Sequence, residues 1–260
     1  MNTRLFALGL ALLAACGSTP TAPGPAPSGT AGPEPVAAQA GAQHAHDAGD
    51  HAATPSPAHR PNRDPHGDPD VARYAARLAD PARIAELRVD EVVTRLSLAE
   101  DALVGDLGCG PGVFALPLAR AVRDGLVFAS DVEPGQLDAL RSALREADVR
   151  NVVPVLSSFE DPHFPPGRLD LVFVGDTYHH LRDRVAYFRR LRSVLAPGGR
   201  LAILEYKPGK LPVGPPEDHK LAAGVREAEL MEAGWVLVER FATHTWHDFE
   251  VWRVVQPWEK

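Results

Sequence analysis

Two carboxylates and three glycines stand at a spacing that suits a small charged ligand. Asp106-Leu107-Gly108-Cys109-Gly110-Pro111-Gly112 follows an apolar stretch, and Asp131 lies 19 residues beyond Gly112. Glycine lets the backbone approach a bound molecule where a Cβ would hold it off. A helix opening at such a turn presents unpaired N–H groups and the positive end of its dipole to a carboxylate. Asp106, two residues ahead of the first glycine, suits an ammonium group and would repel a pyrophosphate. Asp131, ending a second apolar stretch with Val132 beside it, can accept both hydroxyls of a ribose. A ligand with an amino-acid end and a sugar would meet all of these groups.

A second constellation is Val174-Gly175-Asp176-Thr177-Tyr178-His179-His180. Asp176, Tyr178, His179 and His180 are the candidate catalytic residues, with His179 or His180 able to accept a proton from a substrate. The alternative is that Tyr178, His179 and His180 begin a helix and bond to neighbouring backbone, since adjacent helical residues cannot both face one site. Adjacent histidines also lack the i, i+4 spacing that aims two ligands at one ion, so no metal site is expected.

These residues need elements to place them. Strands are expected at Leu103–Leu107, Leu126–Ser130, Val152–Leu156, Leu169–Val174 and Arg200–Glu205, and helices at Gly112–Arg123, Pro134–Ala147, Arg182–Val194 and Gly224–Ala233. Short apolar strands alternating with helices specify a parallel sheet covered on both faces. Val236–Phe241 and Phe249–Val255 have no helix between them, which requires an antiparallel pair. Before the first strand, Asp80-Pro81 has the form of an N-cap and an N1 proline, with Ile84, Leu87, Val92 and Leu96 following at helical spacing. Residues 71–257 are thus one α/β domain.

The amino-terminal part is different. Arg4, an apolar run from Leu5 to Ala15 and Leu13-Ala14-Ala15-Cys16 resemble a bacterial export signal ending in a lipobox, with residues 1–16 forming the signal. Cys16 would then carry the lipid and hold the protein to a membrane of the bacterial cell envelope. Ser18 resembles the outer-membrane class, facing the periplasm; a misassigned start would make the protein cytoplasmic. Residues 17–70 hold 11 of the 25 prolines and no Leu, Ile, Met, Phe, Trp or Tyr. Such a segment cannot bury enough apolar surface to offset chain entropy, so a disordered tether is expected. His44, His46, His51, His59 and His66 are read as part of a solvated linker rather than as a metal site. The net charge of −7, with no basic stripe interleaved with aromatics, argues against a nucleic-acid partner.

Asp106 to Gly112 resembles motif I of class I S-adenosylmethionine-dependent methyltransferases. Ser130-Asp131-Val132-Glu133-Pro134 is similar to their second-strand acid motif, and Leu195-Ala196-Pro197-Gly198-Gly199-Arg200-Leu201 to the turn before their fifth strand. The likeness covers about residues 72–255 and is nearest the small exported or ubiquinone/menaquinone-type enzymes. It implies a Rossmann-like, three-layer αβα fold whose seven-stranded, mostly parallel sheet has an antiparallel last strand. It implies S-adenosylmethionine as methyl donor and an unidentified, small-molecule acceptor. The cofactor residues it implies are Asp106, Gly108, Cys109, Gly110, Asp131, Val132 and Asp176, the last facing the methyl region. Ser158, Phe159 or Asp161 would meet the adenine. Asp80-Pro81-Ala82-Arg83 also matches, but Glu86-Leu87 replaces the Trp-Gln that often follows, so any gating role of that aromatic is lost or moved. The loop from Glu205 to Pro216, with His219 and Lys220, forms either a lid or a surface crossover. Two rival readings are a lipid-anchored binding protein that has kept the fold without catalysis, and an NAD-dependent oxidoreductase. Asp106 and the antiparallel pair disfavour the second.

Overall fold

A computed structural model of the protein describes residues 71–256; the expected export signal with Cys16 and the expected linker through residue 70 lie outside the described residues. Three short helices come first, α1 (Val71–Leu78), α2 (Pro81–Leu87) and α3 (Val89–Arg95). Asp80 caps α2 as expected, accepting from the N–H groups of Ala82 at 2.9 Å and Arg83 at 3.2 Å. The single helix suggested by the spacing is broken at Arg88, which is left-handed with φ of 48°. Anchors on both sides of the break hold it: Arg88 Nη1 donates to the Thr243 carbonyl, and the His244 ring lies 2.9 Å from the Leu87 carbonyl.

The strands and helices then alternate: β1 (Leu103–Leu107), α4 (Ala115–Ala121), β2 (Leu126–Asp131), α5 (Pro134–Glu146), β3 (Val152–Leu156), β4 (Leu169–Gly175), α6 (Arg184–Leu191), β5 (Leu195–Tyr206), α7 (Val225–Glu232), β6 (Trp235–Phe241) and β7 (His247–Val254). They form one sheet in the order β3-β2-β1-β4-β5-β7-β6. Strands β1 to β5 are parallel, and β7 pairs antiparallel with both β5 and β6. This is a Rossmann-like αβα architecture, with the antiparallel strand inserted inside the sheet rather than at its edge. Helix α4 starts later than the sequence suggests because Gly112, at φ of 98°, cannot be helical. Helix α6 also starts late, after a left-handed Asp183. Strand β5 starts earlier than Arg200: Leu195 pairs with Leu169, and Pro197-Gly198-Gly199 form an irregularity within the strand.

Both faces of the sheet are buried. On β4, Leu171 and Phe173 point into the core made with α3, α4 and α5, while Val172 and Val174 point into the one made with α6 and α7. On β5, Ala202 and Leu204 alternate in the same way with Leu201 and Ile203. Near-continuous apolar strands are the pattern of a sheet covered on both sides. The tail strands are clamped by charge: buried Glu250 accepts from Arg226 at 3.1 Å and Arg240 at 2.9 Å. No helix among the described residues is long and apolar enough to cross a membrane.

Leu140 on α5 is fully buried and meets the glycine turn: a Cβ placed on Gly112 would lie 2.6 Å from its Cδ1. Leu140→Ala is expected to lower the urea midpoint by the equivalent of about 2–5 kcal/mol, and Leu140→Met by less than about 1.5 kcal/mol.

Candidate functional site

The site is built where β1, β2 and β4 end. Gly108 and Gly110 are left-handed, with φ of 72° and 52°, and a Cβ on Gly108 would lie 2.2 Å from Thr177 Oγ1. The turn is tied to β2, since the N–H groups of Gly108 and Cys109 donate to the Ser130 carbonyl at 2.8 and 3.0 Å. The N–H of Gly110 donates to Asp131 Oδ2 at 2.9 Å, and that of Gly112 to the Cys109 carbonyl at 3.0 Å. The amides of residues 108, 109, 110 and 112 are therefore spent inside the protein. None of these four N–H groups is left for a ligand's carboxylate. At Gly108 the missing Cβ makes room for Thr177, and the polar atoms left unsatisfied beside the turn are those of side chains.

Those side chains are present and unsatisfied. Asp106 is buried and its Oδ2 has no hydrogen-bond partner; buried Ser130 Oγ and Gln136 Oε1 have none either. Burial, with Asp131 nearby, pushes the Asp106 carboxyl up to about 7. An unpaired buried carboxylate is costly, and a cation in contact removes that cost. Asp131 is also raised by burial, opposed by the N–H groups of Glu133 and Gly110. Its Oδ1 accepts from Glu133 at 2.9 Å, so each oxygen holds one backbone donor and keeps acceptor capacity for a hydroxyl. Half-buried Val132 follows it. Cys109 is buried, its thiol raised by burial, which excludes it as a ready nucleophile.

The second constellation divides. Asp176 is left-handed at φ of 48°, a strained conformation held by its N–H bond to the Leu204 carbonyl at 2.8 Å. Its Oδ2 accepts from Arg83 Nη2 at 2.6 Å, and its Oδ1 lies 3.1 Å from His247 Nε2. Thr177 Oγ1 donates to the Gly175 carbonyl at 2.9 Å and reaches the Gly108 carbonyl at 3.4 Å, linking this segment to the glycine turn. Tyr178 is taken into the core: fully buried, stacked on Phe188 and donating to Glu229 at 2.9 Å. A catalytic role for Tyr178 is corrected on that ground, since the ring is enclosed and the hydroxyl committed. His179 to His180 form a short 3-10 turn with Tyr178, not the start of an α-helix. His179 Nδ1 lies 2.9 Å from Glu205 Oε1, so Nδ1 carries the proton. Burial lowers this imidazole, but Glu205 and Asp176 more than offset it and leave it above its ordinary value. His180 is exposed.

At the expected adenine side, Ser158 Oγ accepts from the N–H groups of Glu160 and Asp161 at 3.3 and 3.1 Å, which shapes a turn. The Phe159 ring at its tip is 43% exposed, with the Arg182 guanidinium 5.8 Å from its centre. Asp161 accepts from the His163 N–H at 2.7 Å. In the loop after β5, Lys207 Nζ donates to the carbonyls of His244 and Thr245, while Lys220 Nζ is buried without a partner. Among the described residues no group of three or more His, Cys, Asp or Glu side chains is placed to hold a metal ion.

One residue here, His247, carried no sequence signal, while Arg83, Glu86 and Tyr206 stood in the sequence only as parts of the segment after Asp80 and of the loop from Glu205. Arg83 and Glu86 come from α2, Tyr206 from the end of β5 and His247 from the start of β7; the register Tyr206↔His247 places the last two side by side. The Tyr206 and His247 rings are 4.1 Å apart, and His247 is 1% exposed with neither ring nitrogen hydrogen-bonded. Burial and Asp176 push the Tyr206 hydroxyl up to about 12, with Arg83 opposing. Only the antiparallel insertion of β7 brings His247 to this edge.

Residues 104–199 match the methyltransferase domain family. Aklanonic acid methyltransferase DauC of a Streptomyces species is 33% identical over 43% of this chain and 52% of its own. The 27-O-demethylrifamycin SV methyltransferase of Amycolatopsis mediterranei is 30% identical over 60% of this chain and 59% of its own. The chain thus spans little more than half the length of these relatives. A solved structure described as a SAM dependent methyltransferase from Aquifex aeolicus shares the fold with a TM-score of 0.67, at 23% identity, over 70% of this chain and 98% of that one.

The raised Asp106 carboxyl has a stability consequence. Below its ordinary value of 3.8, both folded and unfolded chains hold the proton and burial costs nothing. Between there and about 7 only the unfolded chain has lost it, so stability falls as pH rises, and above about 7 the loss is complete. For the ligand-free protein, the difference in urea midpoint between Asp106→Asn and wild type is expected to shift in favour of the variant across that window, then level off.

Proposed function

We propose that the protein transfers a methyl group from S-adenosylmethionine to a small-molecule acceptor. The observation that carries this reading is the buried Asp106 carboxyl, whose Oδ2 has no hydrogen-bond partner, at the start of the glycine turn. A cation at close range is what Asp106 lacks, and the methionine end of this cofactor presents one. The domain match, the two methyltransferase relatives and the shared fold support the same reading.

In this proposal Asp106 holds the ammonium group, Gly108 and Gly110 admit the methionine chain, and Asp131 accepts the ribose hydroxyls. Cys109 and Val132 line the same turn, and Ser158 with Phe159 borders the adenine. When bound, the cofactor supplies an electrophilic methyl group on a sulfonium whose leaving thioether is neutral, so the protein need not protonate a leaving group. The work left to the chain is alignment and exclusion of water, which can supply several kcal/mol of the barrier. Asp176, fixed by Arg83 and by its strained backbone, orients the acceptor. His179 is held by Glu205 in one tautomer, and its raised pKa suits it to hold a proton more than to remove one. His180, exposed beyond it, borders the entrance. Two relatives named as aklanonic acid and 27-O-demethylrifamycin SV methyltransferases support an acceptor among small organic molecules. For the amino-terminal part, we propose lipid attachment at Cys16 and residence at the cell envelope, from Leu13-Ala14-Ala15-Cys16.

Calorimetry on the purified protein is expected to show binding of S-adenosylhomocysteine and none of NADH. Asp131→Ala should weaken that binding roughly 10- to 150-fold, the worth of hydrogen bonds to a charged group; binding of NADH in its place would refute the assignment. Separately, Cys16→Ala should move the protein from the membrane to the soluble fraction of its host, and an unchanged distribution would remove the anchor.

A further inference from the structure

Beside the cofactor turn lies a cluster whose hydrogen-bonding capacity is unbalanced. Arg83 spends Nη1 on the Leu78 carbonyl at 2.9 Å and Nη2 on Asp176 at 2.6 Å. Lys207 is spent on two carbonyls. The acceptors are not spent: Glu86 Oε1 and Asp176 Oδ1 are buried without partners, and so are both ring nitrogens of His247. His247 Nε2 is 3.1 Å from Asp176 Oδ1, but not aligned for a hydrogen bond. Beside His247 stand Asp176, Tyr206 on β5 and His244, whose ring centre is 6.1 Å away; Arg83 and Glu86 from α2 act on the adjoining Tyr206, and His179, paired with Glu205, faces Asp176. Thr177, adjoining Asp176, touches Gly108, so the cluster adjoins the cofactor turn.

Buried polar atoms without partners are uncommon, and each is costly unless a ligand satisfies it. Several within one cluster call for a ligand that donates. Two carboxylate oxygens and an imidazole nitrogen accept, whereas the neighbouring cations are already paired. We infer that Glu86, Asp176 and His247 form the acceptor subsite for a neutral or cationic molecule with at least two O–H or N–H groups, one of which is methylated as its proton passes to His247. This rests on the methyl-transfer reading above. In the step, the acceptor O–H or N–H bond breaks and its proton goes to the free nitrogen of His247. The oxygen or nitrogen electron pair forms the new bond to the methyl carbon, and the carbon–sulfur pair leaves on the neutral thioether. The resulting imidazolium sits against Asp176 until solvent takes the proton. A carboxylate acceptor does not fit, because it brings no donor and meets two unpaired carboxylate oxygens.

The full chain is incubated with S-adenosylmethionine carrying a tritiated methyl group and with a panel in which each carbon skeleton occurs as alcohol or phenol, as amine and as carboxylic acid. Label is expected only on hydroxyl or amino members. Label on carboxylates, or on no member while S-adenosylhomocysteine still binds, overturns the inference; failure of that binding sinks the methyl-transfer reading instead. For a labelled acceptor, calorimetry on the S-adenosylhomocysteine-saturated chain should show Glu86→Gln weakening its binding about tenfold. His247→Asn should lower kcat about 100-fold or more and abolish the acid limb of the pH profile, with S-adenosylhomocysteine affinity within about twofold of wild type. If thermal melting shows that His247→Asn does not fold, His247→Gln takes its place. A folded variant with wild-type kcat and pH profile overturns the role of His247.

Discussion

A carboxylate shut away from water at the end of a central strand organises this protein. Asp106 sits on β1, flanked by β2 and β4, beneath a turn that leaves no room for a side chain at Gly108. Desolvation is severe enough to bring its pKa near neutrality, and Asp131 adds to the effect. A fold that keeps such a group without a partner holds back stability that a cation can restore. Everything nearby is consistent with that: Ser130 and Gln136 also keep unpaired atoms, and the turn amides are tied off so that the backbone does not shift to satisfy them.

The sheet order then decides what faces what. Parallel strands β1, β2 and β4 deliver the cofactor side, with ligands expected outside their carboxyl ends. The reacting side is assembled from more distant pieces. The antiparallel β7 starts where β5 ends, which sets His247 against Tyr206, and α2 reaches over to pair Arg83 with Asp176. In the proposed reading, the cofactor and acceptor sides meet through Thr177, which reaches the Gly108 carbonyl, and the left-handed Asp176 beside it.

Much of the first side was legible in the sequence, because its signals are local. Glycines flanked by a strand and a helix, and an acid at the next strand end, can be read within thirty residues. The apolar runs of β1, β2 and β4 gave their own bounds nearly unchanged, since they are buried on both faces, and β3 kept its bounds as a partly exposed edge strand. What could not be read was conformation set by tertiary contact. The left-handed Arg88 splits a helix whose apolar spacing looked continuous, and it does so because the loop before β7 holds it. The turn amides looked free because the Ser130 carbonyl that takes two of them is distant in the chain. Tyr178 resembled a site residue from its neighbours, yet Phe188 and Glu229 draw it into the core. His247 carried no local signal; only the register of β5 with β7 reveals it.

Proton linkage tests most directly whether an ammonium group settles on Asp106. With its carboxyl pushed up to about 7, Asp106 keeps a protonated population near neutral pH in the free protein, and an ammonium partner would displace that proton. Calorimetry of S-adenosylhomocysteine binding in buffers of different ionisation enthalpy should therefore show proton release near pH 7, declining as the pH rises and missing in Asp106→Asn. Binding with no proton released at pH 7, or with the same release in that variant, would contradict it.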